Sequence, residues 1–265
     1  MTDVDLDDDR ILRELMDRAE RGGMQLPQFG SFAGARQYRR LQRMARRHLP
    51  AGACVLDWGT GFGHFSYFLT RAGYRVTGYA IEGVSAAAWL DEPYERFVGG
   101  CPAEPVRLPF ADAEFDAVVS IGVLEHVRET GGDESASLAE IARVLRPGGV
   151  FLCYHFPNRT SWIDFVSSRV PGKHHHVHRY GRADIERLML DAGLELLEIA
   201  RYGFLPRNLL NRLPAGLRRA RWTADLWDAL DAALGAAFAP LCQNFAFVAR
   251  LPRRQRTPST EGIPP

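Results

Sequence analysis

The sequence predicts an α/β fold: a doubly wound, mostly parallel seven-stranded sheet whose last strand is antiparallel. Helices precede the sheet, and a helical insertion precedes the last strand. Three observations carry this prediction. Short apolar runs alternate with helical stretches from Cys54 to Phe156, the pattern of strands joined by crossover helices. One run, Val55-Leu56-Asp57-Trp58, leads straight into glycines at every second position and then a helical stretch. A long segment, Gly203 to Asn244, separates the last two strand-like runs, although antiparallel neighbours need only a short hairpin.

Composition agrees with a folded globular chain. Of 265 residues, 46% are hydrophobic and 25% charged, which excludes a disordered chain, a collagen-like fibre and a disulfide-stapled mini-protein. Basic and acidic residues number 33 and 32, a net charge of +1, so no global field pulls the chain toward nucleic acid or anionic lipid. Charge is nevertheless uneven. Five aspartates crowd positions 3 to 9, and Arg36, Arg39, Arg40, Arg43, Arg46 and Arg47 crowd a later stretch. The apolar run Ala232 to Cys242 is too short to span a bilayer and contains Pro240. Among the four cysteines there is no C-x-x-C pair, which excludes a zinc knuckle and a thioredoxin motif. Cys54 and Cys153 sit in apolar runs and are expected in the core. The acidic start lacks the basic and apolar regions of a signal peptide, so a cytoplasmic location is expected.

In order along the chain, Ile11, Leu12, Leu15 and Met16 mark a first helix by their spacing. A second, basic helix is expected from Phe32 to His48, stopping near Pro50, so that residues 1–50 form a helical cap. The core follows over residues 51–204. Its strands are expected at Cys54–Leu56, Tyr74–Ile81, Arg96–Val98, Phe115–Ile121, Val150–Phe156 and Leu194–Tyr202. Helices are expected at His64–Arg71, through Leu138 to Leu145, and at Asp184–Ala192. The insertion covers 205–243, the last core strand 244–251, and a Pro- and Arg-containing tail, 252–265, is expected to be disordered. Within the insertion Leu226, Leu230, Leu234, Phe238 and Leu241 share one helical face. That face is expected to pack on the core. A lid, a homodimer contact or a membrane-surface helix are its functional alternatives.

The segment Asp57-Trp58-Gly59-Thr60-Gly61-Phe62-Gly63 is the sharpest chemical signal. Glycines let the backbone approach a ligand and adopt positive φ, and the following helix start favours a polar or anionic group. A dinucleotide fingerprint would need glycine where His64 stands, and no G-K-[S/T] supports a P-loop. Further segments accompany it: Val76-Thr77-Gly78-Tyr79-Ala80-Ile81-Glu82, Leu108-Pro109-Phe110, Phe115-Asp116-Ala117-Val118-Val119-Ser120, Val123-Leu124-Glu125-His126-Val127 and Leu145-Arg146-Pro147-Gly148-Gly149. Together they resemble the class I S-adenosylmethionine-dependent methyltransferases, from about Tyr38 to Leu251, a family with a Rossmann-like core.

The resemblance implies a cofactor site. Gly59, Thr60, Gly61 and Gly63 would run beneath the methionine part of S-adenosyl-L-methionine, with Asp57 near its amino group. Ile121 and Gly122 would line the methionyl arm, and Tyr38 or Arg39 would close over the cofactor. The bland reading of that basic helix is a solvated arginine face. The family's ribose-binding acid falls, by spacing, on Ala80, next to Ile81. Glu82, two residues on, has the missing chemistry, and loss of such a charge-assisted bond costs roughly 1.5–3 kcal/mol. For the acid near the adenine, strand position indicates Cys101, whereas distance from Leu108 indicates Glu104.

Methyl transfer from a sulfonium is an in-line displacement, in which positioning supplies much of the rate. Acceptor sites lie beyond the carboxyl ends of the strands, where Glu125, His126 and His155 fall. His126 also matches ubiquinone-biosynthesis O-methyltransferases, in which a neighbouring acid cluster is tied to a divalent metal. Gly122 stands where that group has its first acid. In the run Lys173 to Tyr180, four histidines lack both the helical H-x-x-x-H spacing and a nearby cysteine, so no metal site is read there. Related enzymes place a histidine facing the acceptor a few residues before an aromatic, a role for His175 or His176, with Tyr180 following. The catalytic candidates are therefore His126, His155 and His176, and Glu125, His175 and Tyr180 are acceptor contacts. No [N/D]-P-P-[Y/F] motif or Pro-Cys nucleophile is present, so a small molecule and not nucleic acid is the expected acceptor. Ala80 also keeps open a non-catalytic protein that only binds the cofactor or its product.

Overall fold

The computed structural model describes residues 3–173 and 175–253. His174 and the tail from residue 254 lie outside them. The helical cap consists of α1 (Asp3–Arg21), α2 (Phe32–Ala35) and α3 (Arg39–His48). The core then alternates β1 (Cys54–Trp58), α4 (His64–Arg71), β2 (Arg75–Ala80), β3 (Arg96–Gly99), β4 (Phe115–Ile121), α5 (Glu134–Val144) and β5 (Leu145–Pro157). It continues through α6 (Trp162–Ser167), α7 (Arg182–Asp191), β6 (Glu195–Tyr202), α8 (Ala215–Arg219), α9 (Arg221–Ala237) and β7 (Asn244–Arg250).

The strands form one sheet in the order β3-β2-β1-β4-β5-β7-β6. The first five pair in parallel, and β7 runs antiparallel to both β5 and β6. The order reverses between β1 and β4, which opens a crevice at their carboxyl ends. Alternation along each strand explains two cores. Val55, Ala117, Val119, Leu152 and Tyr154 face the cap and α4. Leu56, Val118, Phe151, Cys153 and Phe247 face α5 and α7.

Three details depart from the sequence reading. The helix expected over 32–48 is interrupted: a 3₁₀ turn, Arg36–Tyr38, separates α2 from α3. There the Gln37 side chain donates to the carbonyl of Gly34 at 2.8 Å and the Tyr154 hydroxyl to the carbonyl of Gln37 at 2.6 Å, bonds that compete with the helical ladder. β5 starts at Leu145, not Val150, because Leu145 pairs with Phe115 and a register shift carries Pro147-Gly148-Gly149 within the strand. Cys54 is only half-buried, with its sulfur accepting from Arg75, whereas Cys153 is buried as expected.

The two charge runs meet each other. Asp9 accepts from Arg36 and from Arg39, both at 2.8 Å, and Asp8 from Arg46 at 2.7 Å. The basic helix is thus divided: Arg36, Arg39 and Arg46 turn to these acids, whereas Arg40, Arg43 and Arg47 remain on an exposed face. Arg36 is fully buried and also reaches Asp225 of α9 at 2.5 Å, while Arg207 holds Asp228 and Asp231. Because α9 spends its acidic residues inward on these arginines, its apolar side turns outward. Trp222 is 61% exposed, Leu226 55% and Leu230 46%, so the face expected against the core lies on the surface. Ala224 and Trp227 provide the packing that remains.

Candidate active site

The turn after β1 is shaped by backbone more than by side chains. The amides of Gly59 and Thr60 both donate to the carbonyl of Tyr79, at 2.9 and 3.0 Å, strapping the turn to the end of β2. Gly59, Gly61 and Gly63 all have positive φ, at 75°, 49° and 74°, where a side chain is strained. They serve different ends. A Cβ on Gly59 would strike Val123 at 2.4 Å and one on Gly63 would strike Ala87 at 2.5 Å, whereas one on Gly61 would meet nothing within 4 Å. Gly61 therefore faces open space.

That space is a cavity of about 400 Å³ at the carboxyl ends of β1, β2 and β4, within the range of small-molecule sites. Its walls include Gly59, Gly61, Ala80, Ile81, Glu82 and Gly122 from the expected cofactor set, and His126 from the catalytic set. Glu82 shares this wall with Ala80. Sequence reasoning missed Tyr79, Phe62, Val123 and Thr130, which are also among the wall residues. Apolar wall residues carry no chemical signature, and Tyr79 was legible only as a strand residue.

Other candidates lie elsewhere. Asp57 is buried under the turn, where the Ser66 hydroxyl donates to it at 2.5 Å, and burial raises its pKa to about 6. Cys101 and Glu104 share an exposed turn and are absent from the cavity wall, which takes Pro105 instead. Thr60 and Ile121 flank the cavity without lining it, and Thr60 Oγ1 is buried without a hydrogen-bond partner. Tyr38 packs on Phe29, His64 and His155, with ring centroids 5.9, 4.8 and 5.8 Å away. It does not line the cavity. Tyr180 stacks on Phe156 at 4.2 Å, and its hydroxyl meets Glu134. It belongs to the core and to a separate cleft beside Arg128 and Asp184.

The histidines divide in the same way. His175 is exposed and turned toward the carbonyl of Lys173. His176 turns inward, Nδ1 against buried Asp164 at 3.1 Å, and its ring lies 5.9 Å from that of His126. The structure thereby brings together His126, His176 and Glu125. Glu125 is 2% exposed, and burial lifts its carboxyl pKa to about 8. His155 stands at a bulge of β5 with φ of 67°, a strained setting of the kind found at functional sites. Tyr202 donates its hydroxyl to His155 Nδ1 and accepts from the His155 amide, both at 2.9 Å. Burial lowers the His155 pKa to about 3, so at neutral pH this imidazole is uncharged. It lines a smaller cavity with Gln37, Tyr202 and Asn208.

A sheet in this order, a glycine turn after β1 and a cavity at the strand ends define the class I methyltransferase fold. Residues 56–153 match the family described as Methyltransferase domain. It is similar, at 34% identity over 156 residues, to a probable S-adenosylmethionine-dependent methyltransferase of Mycolicibacterium smegmatis, covering 58% of this chain and 56% of that protein. A demethylmenaquinone methyltransferase of Mycobacterium marinum is 35% identical over 127 residues, covering 48% and 51%. The chain thus spans about half the length of these curated relatives. The Burkholderia thailandensis 1,6-didemethyltoxoflavin-N1-methyltransferase, solved with its substrate and S-adenosylhomocysteine, shares the fold with a TM-score of 0.52 and 20% identity, covering 81% of this chain and 77% of that one.

Proposed function

We propose that the chain transfers a methyl group from S-adenosylmethionine to an oxygen or nitrogen of a small molecule. The observation that carries this reading is Gly61, a positive-φ glycine facing open space in the cavity wall. The cavity fits such a cofactor in its chemistry. Bare backbone forms one side, apolar Ile81 and Val123 flank it, and Glu82 offers a carboxylate for ribose hydroxyls where Ala80 cannot. When bound, the cofactor supplies a methyl already activated on a sulfonium. His126, in the wall beside Gly122, and His176 next to it are placed to orient an acceptor X–H and take its proton as the acceptor's lone pair attacks. Pairing of Arg36, Arg39 and Arg46 with acids of the first helix supports a small molecule over a polynucleotide as acceptor.

A second reading, binding without transfer, rests on Ala80. Calorimetry with S-adenosylmethionine and S-adenosylhomocysteine tests the cofactor site. Binding is expected, and Gly61→Val should abolish it, since a branched side chain would fill the open space and strain the backbone. Wild-type protein that stays silent at millimolar ligand refutes both readings. Binding by a chain that methylates none of a panel of phenols, amines and quinols selects the second.

A further inference from the structure

We infer that the outward face of α9 receives a second copy of this chain, laid antiparallel across it. Trp222, Leu226, Ala229, Leu230, Ala233 and Ala237 are all exposed. At about 100° of turn per residue, these six positions share one arc of about 100°. Asp225, at the edge of the arc, is held by Arg36 at 2.5 Å. From 226 to 242 the only charged residues are Asp228 and Asp231, and Arg207 holds both on the inward side. The outward face is therefore apolar along its length.

The order of side chains along this face makes it complementary to itself. A twofold axis between Ala229 and Leu230 sets Trp222 of one copy against Ala237 of the other, Leu226 against Ala233, and Leu230 against Ala229. Each pairing joins a large side chain to a methyl group, so ridges meet hollows and the helices can approach to about 8–10 Å. A closed twofold contact needs this reciprocity, because each residue must suit its counterpart in both directions. A parallel arrangement would instead oppose Trp222 to Trp222 and Ala237 to Ala237, large to large and small to small.

The area is enough for such a contact. Trp222, Leu226 and Leu230 are about half exposed, and with the alanines they leave roughly 500 Å² of apolar surface in water, near the top of what a monomer shows. Two copies together cover about 1,000 Å², the lower bound of a specific interface, where contacts are weak and reversible. Other occupants fit less well. A membrane-surface helix carries lysine and arginine on its polar face, whereas α9 sets Arg221 against Asp225, Asp228 and Asp231. A lid has to move, but Arg36 and Arg207 tie α9 down. None of its residues lines the cofactor cavity, so pairing leaves that cavity open and does not rest on the methyl-transfer reading.

The test is sedimentation velocity of the whole chain from about 1 to about 200 μM, with a dissociation constant on the order of 10 μM expected. Leu226→Ser and Ala233→Glu should each raise that constant by at least about 10-fold. In chain diluted below the dissociation constant, urea unfolding should not distinguish Leu226→Ser from the wild type. Oxidation reads the arrangement, in a Cys101→Ser background because Cys101 is exposed. There Ala229→Cys, beside the axis, should cross-link two copies, and Ala237→Cys should not. A wild-type chain that stays single at the top of the concentration range overturns the inference. So does a pair that survives both Leu226→Ser and Ala233→Glu, or cross-linking through Ala237→Cys in place of Ala229→Cys. Flotation with vesicles of phosphatidylcholine and phosphatidylglycerol should show no binding. Vesicle binding lost in Leu226→Ser, without self-association, assigns the face to lipid and overturns the second copy.

Discussion

His155 shows how a single side chain responds to burial. In an unfolded chain its imidazole takes up a proton near pH 6.5, whereas in the fold it does so only near pH 3. Between those values the unfolded state binds a proton that the folded state refuses. The contribution to stability is therefore complete above pH 6.5 and is lost as pH falls toward 3, by at most about 1.4 kcal/mol per pH unit. His64, held near pH 4 by burial, acts in the same direction. Asp57 and Glu125, with raised pKa values, act in the opposite one. In His155→Asn the cost from this residue vanishes while the other terms stay. Asparagine also tolerates the left-handed backbone. Urea unfolding at pH 7.5 and pH 5.0 should show the wild type losing more stability on acidification than the variant, by about 1–2 kcal/mol. Equal losses would contradict the burial argument. At this scale legibility was uneven. Gly61 could be placed from spacing alone, because its backbone role is local. Tyr180 and Cys101 could not, since their neighbours come from distant segments.

At the level of elements, α9 reverses the usual amphipathic rule. Its Asp225, Asp228 and Asp231 recur at three-residue intervals and turn inward to Arg36, Arg39 and Arg207. The hydrophobic spacing was read correctly as one helical face, but the direction of that face depends on which side meets the arginines. No local pattern states this. Removing Arg36 would leave buried Asp9 with Arg39 alone and take a partner from Asp225, and loss of one member of a buried ionic cluster costs about 3 kcal/mol. Arg36→Ala is thus expected to lower the urea midpoint sharply. By contrast, Leu226→Ser and Leu230→Ser should change stability by no more than about 0.5 kcal/mol. A large loss in either serine variant, measured by the same unfolding curves, would show that α9 buries its leucines. β5 teaches a related lesson. Pro147-Gly148-Gly149 reads as a break, yet the antiparallel partner tolerates it, with Gly148 donating to Leu251 at 2.7 Å.

Across the molecule, opposite charges cancel by contact and not merely by count. The acidic start and the arginine-rich stretch, separate in sequence, neutralise one another between α1, α3 and α9. A fluorescent duplex DNA should accordingly show no binding to about 100 μM protein at physiological salt. Submicromolar binding would mean that free arginines outweigh the paired ones. The sheet class was visible in the sequence because parallel strands alternate with crossover helices in chain order. The order of the final two strands was less open to reading, since antiparallel neighbours carry no signature of which one lies inside. That order has a consequence for how the chain matures. β7 fills the slot between β5 and β6, so β6 has no main-chain partner until residues 244–250 have emerged from the ribosome. A nascent chain halted just short of them would present two open sheet margins, a target for chaperones or for a second unfinished copy.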